Sequence, residues 1–148
     1  MKFIIQRVSQ ASVSVENQMI AQIGKGFLVL IGVSHSDTHQ TADVLIRKLL
    51  GLRIFEDEQG KSNLSLADVE GSLLLVSQFT LYANCKKGNR PSFINAGSPQ
   101  LADKLFHYII DKCSVAGLPV EAGIFAAKMQ VSLINDGPFT IVLDSEEL

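Results

Sequence analysis

Residues 26–33, GFLVLIGV, form the longest apolar run in the chain. The run has the length of a buried strand and falls far short of the ~20 residues that cross a bilayer. A strand without a polar face lies inside a sheet, where other elements cover it. We therefore expect a central strand at this position and a fold arranged around a sheet.

The length and composition indicate one folded domain, which we expect to span residues 1–148. Of the 148 residues, 47% are apolar and 19% are charged, so a sizeable core can form. The N-terminal stretch MKFIIQRVSQ lacks the long apolar segment and small-residue cleavage site of a signal peptide. It is interpreted as the first strand of a cytoplasmic protein that does not enter a membrane.

Two stretches carry apolar residues at the spacing of amphipathic helices. Capping side chains precede each stretch, and a glycine follows each one. The predicted apolar faces are Ala42, Leu45, Ile46, Leu49 and Leu50 in the first helix, and Ala102, Leu105, Phe106, Ile109 and Cys113 in the second. The first helix is predicted to begin after a cap at Ser36, Asp37 or Thr38 and to end at Gly51. The second is predicted to begin with Ser98 as cap and Pro99 as its first residue, and to end at Gly117.

The other segments have the composition and alternation of strands. ASVSV and MIAQIG flank ENQ and predict a hairpin, while LRIF and SLLLVSQFTLYA are further strands separated by the polar turn EDEQGK. The last third returns to strand. This order predicts an α+β fold: a single domain with a curved or barrel-like mixed β-sheet and two main helices.

Near the C-terminus, VSLINDGPFTIV (131–142) combines a turn signal with a residue that opposes pairing. The Asp136-Gly137 pair predicts a hairpin between two apolar strands. Pro138 follows at a place where a paired strand would need a backbone N–H donor. We interpret the loop as a functional element as well as a connection.

The stretch SQFTLYANCKKGNRPSF (77–93) is the strongest candidate for a binding site. In a strand, Gln78 and Thr80 would share one face, and a loop with three cations follows: Lys86, Lys87 and Arg90. Hydroxyl and amide groups beside such a loop suit a polar, partly anionic ligand. Ordinary polarity at a strand edge, followed by a solvated loop, is the alternative interpretation.

The sequence gives little support for disulfide bonds, metal binding, a phosphate-binding loop or binding along a nucleic-acid duplex. Cys85 and Cys113 are far apart and predict free thiols. The histidines lack metal-ligand spacing, so we expect no metal and no cofactor. No phosphate-cradling glycine loop or nucleophile elbow is present. The net charge of −2 argues against binding along a nucleic-acid duplex, but it permits contact with a short RNA terminus through a local basic cluster.

SQFTLYA (77–83) with KGNRPSF (87–93), and NDGPFT (135–140), resemble the motifs of the D-aminoacyl-tRNA deacylases, and framework segments along the whole chain occur in family order. The resemblance implies a homodimeric hydrolase that cuts the ester between a D-amino acid and the terminal adenosine of tRNA. Its partners would be a tRNA 3′ end carrying a D-amino acid or glycine and a second copy of the chain, with active sites at the interface.

The resemblance also implies roles for individual residues. The Gly137-Pro138 peptide bond would be cis and would enter the partner's active site, where main-chain carbonyls face the amino acid. Arg7 would secure that loop. Phe139 stands where the family more often has Val. The residues implied around the ester and adenosine are Ser77, Gln78, Phe79 and Thr80, with Phe125 and Met129 at the adenine pocket.

Phe125 and Met129 have core packing as their alternative interpretation. Independently of the resemblance, we expect Lys86, Lys87 and Arg90 to face phosphates of the acceptor stem.

Two mechanisms fit the sequence. Thr80 could act as a nucleophile, which would need a nearby base, and no residue has an obvious claim to that role. Alternatively, N–H groups around Phe79 and Thr80 stabilise the oxyanion while the 2′-hydroxyl of the RNA assists water. The lack of a base favours the second mechanism.

Three other functions are also compatible with the sequence. They are the related deacylases that clear L-alanine from tRNA, a tRNA-end-binding module without catalysis, and a metal-assisted hydrolase.

Overall fold

The computed structural model describes residues 1–148, which form eight strands and two α-helices. A short 3-10 helix, Phe79–Tyr82, follows the sixth strand. The elements in chain order are β1 (Lys2–Val15), β2 (Gln18–Ile23), β3 (Gly26–Gly32), α1 (His39–Leu50), β4 (Arg53–Glu56), β5 (Ser62–Ser65), β6 (Ser72–Ser77), α2 (Pro99–Val115), β7 (Val120–Ala122) and β8 (Met129–Asp144).

Six of the strands form one mixed sheet. Strand β1 pairs antiparallel with β2, β3 and β8, whereas β3 with β6 and β6 with β7 are parallel pairs. Strands β4 and β5 form a separate antiparallel hairpin. The main sheet curls into a nearly closed, barrel-like arrangement, which confirms the predicted α+β fold with a curved mixed sheet and two helices.

The apolar run 26–33 contains β3, and the two faces of this strand are buried in different cores. Phe27, Val29 and Ile31 belong to the larger core beneath the helices. Leu28 belongs to a smaller core with residues such as Val13 from β1. Because neither face meets water, the strand tolerates no polar side chain, as its sequence predicts.

Local signals predicted both helices correctly. Thr38, one of three candidate caps, accepts a hydrogen bond from the Thr41 N–H, and Ser98 accepts one from the Leu101 N–H. Gly51 caps the first helix. Gly117 follows the second with φ +84°, a left-handed conformation that glycine adopts readily.

Asp37, another cap candidate, has a different role. Its carboxylate is almost fully buried and lies 2.7 Å from the α-ammonium group of Met1. It also accepts a hydrogen bond from the Ser34 N–H. The pair joins the start of β1 to the loop before α1, and sequence spacing gives no hint of it.

The predicted strand SLLLVSQFTLYA is wrong in its second half. Strand β6 ends at Ser77, and the chain then tightens into the 3-10 helix. Its neighbour β3 ends at Gly32, so the ladder has no partner beyond that point. The two-face alternation expected for Gln78 and Thr80 therefore does not apply. Strand β5 was also missed, because its segment SNLS carries only one apolar residue.

The predicted C-terminal hairpin is wrong as well. Both apolar runs belong to the single strand β8, and both pair with β1. Gln6 pairs with Thr140 and Val8 with Asn135, so the four residues 136–139 bulge out opposite Arg7 alone. The chain does turn at Asp136-Gly137, but the two apolar runs pair with β1 and not with each other. The chain leaves the ladder and returns to it.

Cys85 is exposed and Cys113 buried, and both are free, as predicted. Burial raises the pKa of the Cys113 thiol to about 11, so it stays protonated and unreactive near neutral pH. No helix is long and apolar enough to cross a membrane.

Candidate functional site

A predominantly apolar cleft of about 520 Å³ opens beside the end of β6. Its volume lies within the range of small-molecule sites. Five residues predicted for the site line it: Ser77, Gln78, Phe79, Phe125 and Met129. The other lining residues come mainly from β3, the start of α2 and the segment between β7 and β8.

The polar edge of the cleft lies where β6 passes into the 3-10 helix. The Gln78 side-chain N–H group donates to the Thr80 hydroxyl at 2.5 Å. The main-chain N–H groups of Phe79 and Thr80 open the helix, and groups in that position have no partner within a helix. The strand end therefore offers hydroxyl, amide and main-chain donors at one rim of an apolar cleft.

The Phe79 ring is 56% exposed and stands edge to face with Phe93, with 4.9 Å between the ring centroids. Phe93 belongs to the loop that carries Lys86, Lys87 and Arg90. All three cations are exposed, and none makes a salt bridge. The loop thus places unpaired positive charge outside the cleft rather than in its lining.

Arg7 is buried beneath the bulge of β8, with 5% of its surface exposed. Its Nε donates to the Asp136 carbonyl at 2.8 Å and lies 3.2 Å from the Asp136 carboxylate. Its Nη1 donates to the Ile54 carbonyl. The Phe139 ring lies over the guanidinium at 4.4 Å, a favourable cation–π distance. Arg7 therefore ties both ends of the bulge to the core.

The bulge exposes Gly137 and Pro138. The peptide bond between them is cis, the isomer that the resemblance implies. Arg7 binds the carbonyl of Asp136 and the Asn135 side chain binds that of Phe139. No side chain donates to the carbonyls of Gly137 and Pro138, and neither residue pairs with β1. These two oxygens are left free to accept a hydrogen bond.

The predicted site residues fall in three places within one chain: the cleft, the bulge and the cationic loop. Ser77, Gln78, Phe79, Phe125 and Met129 line the cleft, and Thr80 lies in the adjoining 3-10 helix without lining it. Gly137 and Pro138 lie in the bulge, which Arg7 of β1 supports from beneath. The cationic loop carries Lys86, Lys87 and Arg90. No bulge residue lines the cleft of its own chain. The resemblance implies that Gly137 and Pro138 enter the cleft of a partner subunit, and this arrangement stays a prediction.

The chemistry of the cleft lining is neutral. None of its residues is His, Asp, Glu, Lys or Arg. No group of three or more His, Cys, Asp or Glu side chains comes together in a way that suits a metal ion. His107 contacts the Asp103 carbonyl and His39 packs against Tyr108, both away from the cleft.

Sequence reasoning missed Asn135, whose side chain crosses the base of the bulge. A signal existed: Asn side chains next to turns commonly bond to nearby main chain. The contact between Phe139 and Arg7 had no comparable local signal, because the two residues lie far apart in the sequence.

A largely apolar cleft with a few polar groups at its rim is typical of domains that bind a small ligand. Residues 4–144 match the family model described as D-Tyr-tRNA(Tyr) deacylase, and the chain belongs to this family.

The relatives support the same assignment. The chain is 52% identical over 147 residues to a "D-aminoacyl-tRNA deacylase" of Clostridioides difficile (strain 630) and 50% identical over 147 residues to one of Desulfitobacterium hafniense (strain DSM 10664 / DCB-2). Each match covers 99% of both proteins. A solved structure described as "c-Myc DNA Unwinding Element Binding Protein" has a TM-score of 0.91 at 40% identity, covering 97% of this chain and 98% of that one.

Proposed function

We propose that residues 1–148 act as one D-aminoacyl-tRNA deacylase domain. The reaction is hydrolysis of the ester between a D-amino acid and the terminal adenosine of tRNA, which releases free tRNA and the D-amino acid. Family membership and the names of its relatives support the activity. The proposal of chiral selection rests on one observation: the bulge has two free carbonyls and lies outside the cleft of its own chain.

The active site is completed by a second copy of the chain. Strand β8 pairs only with β1, which leaves a long edge whose main-chain groups can meet a partner. Ile134 and Val142 on this strand are 52% and 59% exposed, and exposed apolar side chains favour association. In this homodimer, Gly137 and Pro138 of one subunit enter the cleft of the other.

The free carbonyls of Gly137 and Pro138 distinguish D-amino acids from L-amino acids. Mirror-image amino acids place the ammonium group and side chain differently around one carbon atom. Carbonyls held in fixed positions accept from the ammonium group of a D-amino acid and crowd the position of an L side chain. Because main chain makes this test, many D-amino acids are substrates. Glycine, lacking a side chain, escapes rejection, so glycyl-tRNA is hydrolysed too.

The RNA end occupies the cleft and the cationic loop. Phe125 and Met129 contribute apolar walls for the adenine base. Lys86, Lys87 and Arg90 lie on the exposed loop beyond Phe79, where phosphates of the acceptor stem would pass. The net charge of −2 is compatible with this limited contact, since only the terminus of the RNA is bound.

Catalysis relies on positioning rather than on a side-chain base. The cleft lining has no ionisable group that could activate Thr80. The N–H groups of Phe79 and Thr80 stabilise the oxyanion, and the 2′-hydroxyl of the terminal ribose assists the attacking water. Thr80 helps to orient the site through its hydrogen bond with Gln78.

The test of this function compares D-Tyr-tRNA, L-Tyr-tRNA, L-Ala-tRNA and glycyl-tRNA as substrates. We expect D-Tyr-tRNA to be hydrolysed at least about 100-fold faster than L-Tyr-tRNA, with glycyl-tRNA also hydrolysed. A preference for L-Ala-tRNA would favour the related L-alanine deacylases, and binding without hydrolysis would favour a tRNA-end module. Loss of activity on chelation would favour a metal-assisted hydrolase.

Replacing Thr80 by alanine separates the two mechanisms. We expect Thr80→Ala to retain D-Tyr-tRNA hydrolysis within about threefold of the wild type, because a positioning hydroxyl contributes little beside the main-chain donors. Single-turnover rates measure the effect. An acyl group trapped on Thr80 in the wild type would contradict the positioning mechanism.

A further inference from the structure

The base of the bulge is closed by one side chain, Asn135. Its Nδ2 donates to the Phe139 carbonyl at 2.9 Å and to the Arg7 carbonyl at 3.2 Å. Its Oδ1 accepts from the Phe139 N–H at 3.4 Å. The amide therefore bonds both main-chain groups of Phe139, as a neighbouring strand would, at the point where β1 has no partner to offer.

The hydrogen bonds of Asn135 with Phe139 and Arg7, here called the clamp, explain which carbonyls of the bulge stay free. The four carbonyls of the bulge belong to residues 136–139, and the two outer ones are occupied by Arg7 and Asn135. Only the oxygens of Gly137 and Pro138 lack a side-chain donor. Arg7 holds the entry to the bulge and Asn135 holds its exit, so the inner carbonyls are fixed from both ends.

The clamp also explains the glycine. A Cβ at residue 137 would collide with Asn135 Oδ1 and would lie 2.6 Å from the Phe139 nitrogen. Any side chain there would push the Asn135 amide out of its hydrogen bonds. Gly137 and Asn135 are therefore coupled: the amide occupies the space that the missing side chain leaves.

We propose that Asn135 is a positioning residue for chiral selection, acting through the carbonyls of Gly137 and Pro138. This inference rests on the proposed function. Without the amide, no side chain binds the main chain of Phe139, although its ring still packs against Arg7 and the core. The carbonyls of Gly137 and Pro138 are then less firmly fixed in position. We therefore expect discrimination between D- and L-aminoacyl-tRNA to fall, while binding of the RNA end is largely kept.

The experiment measures kcat/KM for D-Tyr-tRNA and L-Tyr-tRNA in the wild type, Asn135→Ala and Asn135→Asp. The aspartate keeps the size of the side chain and its accepting oxygen, and it removes the hydrogen bonds that Asn135 Nδ2 donates. We expect the D-to-L ratio to fall about tenfold or more in both variants, with KM for D-Tyr-tRNA changed much less than kcat. Asn63→Ala is the matched control, because this amide binds Arg53 and Asp57 on the β4–β5 hairpin.

Hydrogen exchange tests the clamp without substrate. In the wild type, the Phe139 amide should exchange more slowly than the Gly137 amide, because its N–H donates to Asn135 Oδ1. Asn135→Ala should remove that difference, since alanine has no accepting oxygen. A wild type that fails to discriminate enantiomers refutes the proposed function. A wild type that discriminates, together with variants of unchanged D-to-L ratio or an unprotected Phe139 amide, overturns the role of Asn135 alone.

Discussion

Arg7→Ala is expected to lower the free energy of unfolding by about 3 kcal/mol and D-Tyr-tRNA hydrolysis by about 100-fold. The stability loss follows because the change leaves the Ile54 and Asp136 carbonyls without their donor and removes the cation that packs between two aromatic rings. The activity loss follows because the entry to the bulge is no longer held. Urea unfolding and single-turnover rates measure the two effects.

Arg7→Lys should rescue little of this loss. Arg7 uses separate nitrogens for two carbonyls while its flat face packs against Phe139, and a lysine ammonium lacks both the fork and the flat face. Arg53→Ala is the matched control: Arg53 also donates to a main-chain carbonyl and a side chain, but it is exposed. We expect it to change stability by less than about 0.5 kcal/mol. Equal effects of the two alanine variants would contradict the role given to Arg7.

Gly137→Ala is expected to reduce kcat/KM for D-Tyr-tRNA by about 100-fold while leaving the fold intact. The new methyl group would overlap Asn135 Oδ1 and the Phe139 nitrogen, so the exposed bulge must shift. Displacing groups that contact a substrate by about 1 Å can cost that much in rate. The cleft lies elsewhere in the chain, and binding of the RNA end should therefore persist.

Gly24→Ala provides the control for this substitution. A Cβ at Gly24 would meet nothing within 4 Å, and the residue is exposed in the turn between β2 and β3. We expect wild-type activity from it. If Gly137→Ala also hydrolysed D-Tyr-tRNA at the wild-type rate, the shape of the bulge would have no part in catalysis.

The sequence predicted those parts of the fold that depend on nearby residues. The capping hydroxyls of Thr38 and Ser98 act within one helical turn, so local pattern was sufficient to place both helices. The apolar run of β3 needed no partner to be recognised as a buried strand. Cys85 and Cys113 are free, as the sequence predicts.

The errors occurred where distant partners decide the outcome. Asp136-Gly137 has the residues of a hairpin turn, yet β1 pairs with the chain on both sides of it. The end of β6 is set by the end of β3, which no residue near Gln78 encodes. The separation of Gly137 and Pro138 from the cleft is not among these errors, because the resemblance implies that they enter the partner's active site.

A mixed dimer shows whether the bulge of one subunit completes the cleft of the other. Gly137→Ala damages the bulge, and Ala127→Trp fills the cleft that Ala127 lines. Two different affinity tags on co-expressed variants allow the mixed dimer to be isolated. Because one of its two sites combines an intact cleft with an intact bulge, we predict about half of the wild-type rate per dimer. If the mixed dimer were as inactive as the two single-variant dimers, or if the two tags never co-purified, the bulge of one subunit would not complete the cleft of the other.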